Sequence, residues 1–213
     1  MDSLLYYNYF VLLGLLVLNS VLALLKKNSI IRISGLFAFA SAVFSFVGVF
    51  LATNHLPASD GFEKLQNVIL ILTGIGMTYN VFIPKAKVSQ SFWLVALFLQ
   101  LYILTGPLKA SAYFYMYDNQ WVVAFFQLRI TSIALFSYAL SLYLTYIVSG
   151  DDKEGILMQR GRNFMLLAAG IFLAGEFSGS VWAQLGWGDA WRWSKGFFLS
   201  NIFDNSIKSL NLK

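Results

Sequence analysis

The chain contains no cysteine. Disulfides, iron–sulfur clusters and a thiol nucleophile are therefore excluded. It has a single histidine, His55, and one histidine without cysteine cannot close a four-coordinate zinc site. Charge is also scarce: 12% of residues are charged, against about a quarter in an ordinary soluble domain. No nucleophile–base pair, phosphate-binding loop or pair of carboxylates stands out. A conventional hydrolase or transferase centre is thus not readable here.

What the chain has in bulk is apolar surface. Hydrophobic residues make up 58% of it and the mean hydropathy is +0.67. Such a composition cannot cover itself with polar groups, so lipid must face much of the molecule. Six segments approach the length of about 20 mostly apolar residues that a crossing needs. They are residues 4–25, 30–52, 65–83, 92–108, 121–148 and 164–182. The opening "MDSLLYYNYF" lacks the basic start of a cleaved signal peptide, so the first segment is read as a retained span. The expected fold is all-α: one polytopic membrane bundle over residues 1–213, with six transmembrane helices and a short polar tail at 199–213.

The net charge of +5 is no nucleic-acid signature, because the basic residues sit in short runs between apolar segments. In a membrane protein such runs set orientation. Lys26, Lys27, Arg32, Lys85, Lys87, Lys153, Arg160 and Arg162 fall on one side, and only Lys64 and Lys109 on the other. The N-terminus, the loop carrying His55 and the segment after the sixth span are therefore expected to face outward. Arg192, Lys195, Lys208 and Lys213 in the C-terminal stretch run against this count without reversing it.

That C-terminal stretch holds "GWGDAWRWSKG", Gly186 to Gly196, with three tryptophans in seven residues. With Trp182, four of the six tryptophans lie between 182 and 193. Indole favours the membrane–water boundary, so an interfacial belt is one reading. The other is a platform for a flat ligand. Gly186 and Gly188 flank Trp187, and glycine lets backbone approach a planar surface closely. If this stretch is helical, Trp187 and Trp191 share a face at i, i+4.

His55 sits in "TNHLPASDGF", just past the second span. Pro57 stops the preceding helix, and Asp60 with Glu63 reads as an N-cap and capping box for the third. The histidine is either a solvated loop side chain or a metal ligand. Porphyrin already supplies four nitrogens, so one imidazole suffices as an axial ligand to haem iron. Two charges fall inside expected spans. Arg129 either snorkels to the outer interface or grips a carboxylate, a haem propionate included. Glu176, among Gly170, Gly175 and Gly179, sits either in a closely packed helix face, beside a ligand channel, or against Arg129.

The stretch "SGSVWAQLGWGDAWRW" resembles the tryptophan-rich signature of cytochrome c biogenesis proteins of the CcsA/ResC type (system II). "NHLPASDGFEKLQ" resembles the same family's external histidine loop, and "FSYAL" at 136–140 its Tyr-Ala step. The likeness runs from about residue 50 to 198. It implies haem handling for covalent attachment to apocytochrome c, at a loop at 182–196 that faces the periplasm or exterior of a bacterial inner membrane. By resemblance His55 is the axial ligand to transiently held b-type haem. Trp182, Gly186, Trp187, Gly188, Asp189, Trp191 and Trp193 form the platform, with Arg192 and Lys195 beside the propionates. The chemistry would lie in the haem and the partner's CxxCH cysteines, making the chain at most part of a haem lyase complex. A ResB/CcsB-type membrane partner is implied. The sequence departs from the family in three places. Ser194, Lys195 and Gly196 follow the last tryptophan where "DPKE" is usual. No histidine occurs in "QLRITSIALFSYA", and the further spans with a second external histidine are missing. Truncation or a split protein is the expectation, with a separate segment supplying that histidine. The alternative is a non-catalytic membrane subunit or small transporter whose tryptophans merely anchor it.

Overall fold

The computed structural model describes residues 2–58, 60–78, 91–110, 118–149 and 155–188. Among these are six α-helices and no strand. They are α1 (Asp2–Leu24), α2 (Asn28–Thr53), α3 (Gly61–Met77), α4 (Phe92–Tyr102), α5 (Gln120–Ser149) and α6 (Ile156–Trp187). A 3₁₀ turn, Ile103–Thr105, continues α4. Helices α1, α2, α5 and α6 are each long and apolar enough to cross a membrane. As described, α3 and α4 are shorter.

One helix start differs from the sequence expectation and another follows it. Helix α6 begins at Ile156, capped by a left-handed Gly155, and not near residue 164. Arg160 and Arg162 are good helix formers, so this basic pair rides on the first turns of α6 and not in a loop. Helix α3 begins at Gly61 because the Asp60 carboxylate accepts from the Glu63 N–H at 2.9 Å. The capping box is only half formed. The Glu63 carboxylate turns away and accepts from the Ala58 N–H at 3.2 Å.

Neighbouring helices run antiparallel, and polar side chains clasp them where lipid supplies no hydrophobic drive. Between α1 and α2, Asn8 donates to Ser45 Oγ at 2.7 Å and to the Ser41 carbonyl at 2.9 Å. Further along, Ser34 donates to Asn19 Oδ1 at 2.5 Å. Helices α3 and α4 fill the centre, between the α1–α2 pair and α5. The core there is aromatic: Phe92 and Trp93 are fully enclosed, and Phe92 meets Trp93 and Tyr138 edge-on. Gly76 makes room for it, since a Cβ at this position would stand 2.2 Å from Phe92 Cζ. Gly76→Leu is accordingly expected to cost about 1–3 kcal/mol by overpacking. Thermal unfolding in detergent tests this, and a midpoint equal to wild type would contradict it.

Helix α6 has α5 as its one extensive neighbour among the described residues. The two lie close because small residues of α6 face bulky ones of α5: Gly179 opposes Phe125, Gly175 opposes Leu128 and Gly161 opposes Tyr143. Ser132 adds a hydrogen bond to the Ala168 carbonyl at 2.9 Å. Gly170, by contrast, has open space where a side chain would be.

Candidate functional site

The His55 loop and a group of amide side chains meet at one end of the bundle. The antiparallel order brings together the α2–α3 loop, the start of α3, the end of α4, the start of α5 and the end of α6. Helix α2 stops at Thr53 because Asn54 adopts a left-handed conformation, φ 58°, which asparagine tolerates better than most residues. The chain then folds inward. His55, Pro57 and Ala58 are buried, His55 at 5% exposure.

The His55 Nδ1 lies 3.0 Å from the Leu56 carbonyl. A carbonyl oxygen only accepts, so this contact places a proton on Nδ1. That is the arrangement of a metal-binding imidazole, whose other nitrogen is held by a backbone carbonyl. No group of three or more His, Asp or Glu side chains suited to a bare metal ion occurs among the described residues. Burial, however, keeps the ring from open solvent in this arrangement.

Around the loop lies an amide network that the sequence reading passed over. Asn67 Nδ2 donates to the Pro57 carbonyl at 3.0 Å and to Gln127 Oε1 at 2.9 Å. Gln127 Nε2 also reaches the Pro57 carbonyl, at 3.4 Å. Gln66 donates to Gln100 Oε1 at 3.1 Å, and Tyr9 and Gln100 exchange hydrogen bonds with each other's backbone. Glu63 is wholly enclosed. Burial pushes the Asp60 carboxyl above its ordinary pKa, against the opposing pull of the Glu63 and Phe62 N–H groups. Amides inside otherwise apolar segments were the available signal, because such groups turn toward the bundle interior and find partners there.

Arg129 pairs across two helices. Its Nε and Nη2 meet Glu176 Oε1 at 2.7 and 2.5 Å, joining α5 to α6. The guanidinium also stands 4.4 Å from the Phe125 ring centre and 5.4 Å from that of Phe172. Of the readings open for both charges, mutual pairing is the one found.

Helix α6 carries the start of the tryptophan segment. Trp182 is half-buried on it, and Trp187 is its last residue. Gly186 is exposed, and Gly188 ends the helix in the left-handed region, φ 71°, with its N–H on the Gln184 carbonyl at 3.0 Å. Helix α6 thus ends at Trp187, while Trp191 lies outside the described residues. The glycine at 188 serves a turn, which an L side chain would strain. Asp189, Trp191, Arg192, Trp193 and Lys195 lie outside the described residues. Tyr138, in the expected Tyr-Ala step, is buried between Phe92 and Phe164. No family model, curated protein or solved structure matches the chain.

Proposed function

We propose that this membrane protein handles haem for cytochrome c assembly, holding it on the tryptophan-rich segment with His55 as axial ligand. One observation carries the reading. The loop bearing His55 and the C-terminus of α6, which leads into the tryptophans, share one end of the bundle. The Nδ1 contact with Leu56 adds to it by fixing the orientation of the imidazole.

In this reading α3 and α4 complete six crossings, with the N-terminus, the His55 loop and the tryptophan segment on the outer side of a bacterial inner membrane. The excess of basic residues at the opposite end supports that orientation. The haem is cargo, and its vinyl groups with the CxxCH thiols of apocytochrome c supply the bond-forming chemistry. The chain contributes the rest: His55 holds the iron, the indoles support the ring face, and Arg192 and Lys195 neutralise propionates. A ResB/CcsB-type membrane protein is the natural partner, and a further segment would bring a second histidine. The rival reading, a non-catalytic subunit or small transporter with an indole belt, draws on Trp182 and Trp187 near the end of a long helix.

The deciding experiment is an absorption spectrum of the detergent-purified protein with hemin, beside His55→Ala. The expected result is a Soret band with sharp α and β bands on reduction, shifted and weakened about tenfold in affinity in the variant by loss of the ligand. Identical spectra would remove His55 from the iron. Absence of any bound hemin in both would remove the proposal itself.

A further inference from the structure

The α2–α3 loop is unusual in lying inside the bundle. Loops ordinarily run over the surface, because buried irregular backbone must find partners for its polar groups. Here those partners are specific. The Pro57 carbonyl receives Asn67 from α3 and Gln127 from α5, and Asn67 also donates to Gln127. Three groups from three elements thus close on one another. Ala58 is held separately by Glu63.

The α5 turn that supplies Gln127 touches the neighbouring elements on both sides. Phe126 lies beneath the Lys64 ammonium of α3, 5.2 Å from ring centre to nitrogen. Phe125 packs against Gly179 of α6, and Arg129 pairs with Glu176 of α6. The same five residues, 125–129, therefore fix the His55 loop on one face and the tryptophan-bearing helix on the other. Gln127 reaches the Pro57 carbonyl at 3.4 Å although the two stand 70 residues apart in the chain. A local turn preference cannot account for the contact.

We propose that Asn67 and Gln127 are positioning residues for His55. Their amides clamp the Pro57 carbonyl, hold the loop against α5 and thereby set where the imidazole stands relative to α6. With the clamp closed the ring is enclosed; when the Pro57 carbonyl is released the loop swings out and the ring becomes accessible. What His55 then serves rests on the haem reading, but its placement does not.

His55 is the only histidine, so its modification by diethyl pyrocarbonate, read by peptide mass spectrometry, reports its accessibility without any haem. The expected result is slow modification in the wild type and a rate about tenfold higher in Asn67→Ala/Gln127→Ala, from loss of the hydrogen bonds on Pro57. Asn8→Ala removes comparable bonds between α1 and α2 and is expected to leave the rate within about twofold. If the double variant does not elute as a folded species, Gln127→Met alone is expected to raise the rate about threefold, since Asn67 keeps its bond to Pro57. A rate unchanged from wild type in every folded clamp variant overturns the proposal. So does an equal increase in Asn8→Ala, which would mean general loosening. Hemin titration of the same proteins separates the two ideas: faster modification with no hemin bound by wild type defeats the haem reading and sustains the clamp.

Discussion

Glu176→Leu should destabilise the protein by about 2–3 kcal/mol, whereas adding Arg129→Leu to it should restore most of that loss. The asymmetry comes from arginine chemistry. A guanidinium stays charged at any accessible pH, so removing its carboxylate strands a cation between two phenylalanines within the bundle. The side chains are 17% and 26% exposed, so the loss falls below that of a wholly enclosed pair. A double-mutant cycle by reversible unfolding in detergent measures the coupling. Strictly additive losses would mean that the two charges do not depend on each other, despite separations of 2.5 and 2.7 Å.

Phenylalanine at both Trp187 and Trp191 should weaken hemin binding by about tenfold, as two indole faces give way to smaller rings. Thermal stability should stay near wild type, since phenylalanine keeps an apolar ring at each position. The belt reading expects the opposite pattern: binding within about twofold of wild type, because benzyl groups also sit comfortably at the lipid boundary. Titrations monitored at the Soret band distinguish these outcomes directly. Retained affinity would leave the tryptophans as anchors and return the function to a non-catalytic subunit or transporter.

Much of the architecture was legible because bilayer thickness imposes a length on apolar segments, and four of the expected spans hold helices long and apolar enough to cross. Where the reading slipped, local chemistry explains it. The start of α6 was misjudged because Arg160 and Arg162 were counted as a loop by charge, although arginine propagates a helix well. Arg129 was weighed as a snorkelling residue because its carboxylate lies 47 residues away in the chain. Nothing in a linear pattern shows that α5 and α6 are aligned so that these two charges meet. The Asp60 cap was visible since its partner is three residues on. The Asn67–Gln127 clamp was not, because its members belong to different helices and to a proline carbonyl. For the site, His55 stood out as the chain's sole histidine. Its enclosure did not, as burial depends on how the loop folds back.

The α5–α6 hairpin has a consequence for how the protein is made. Since α6 leans chiefly on α5, these two helices can associate as they leave the insertion machinery, whatever the state of the first four. Glu176 is synthesised after Arg129, so the cation waits for its counter-charge until the second arm has been made. Once they meet, the two charges within the spans enter lipid as a pair, and the tryptophans that follow emerge only after that pairing. The order of synthesis thus delivers the flat side chains last, onto a scaffold already seated in the bilayer.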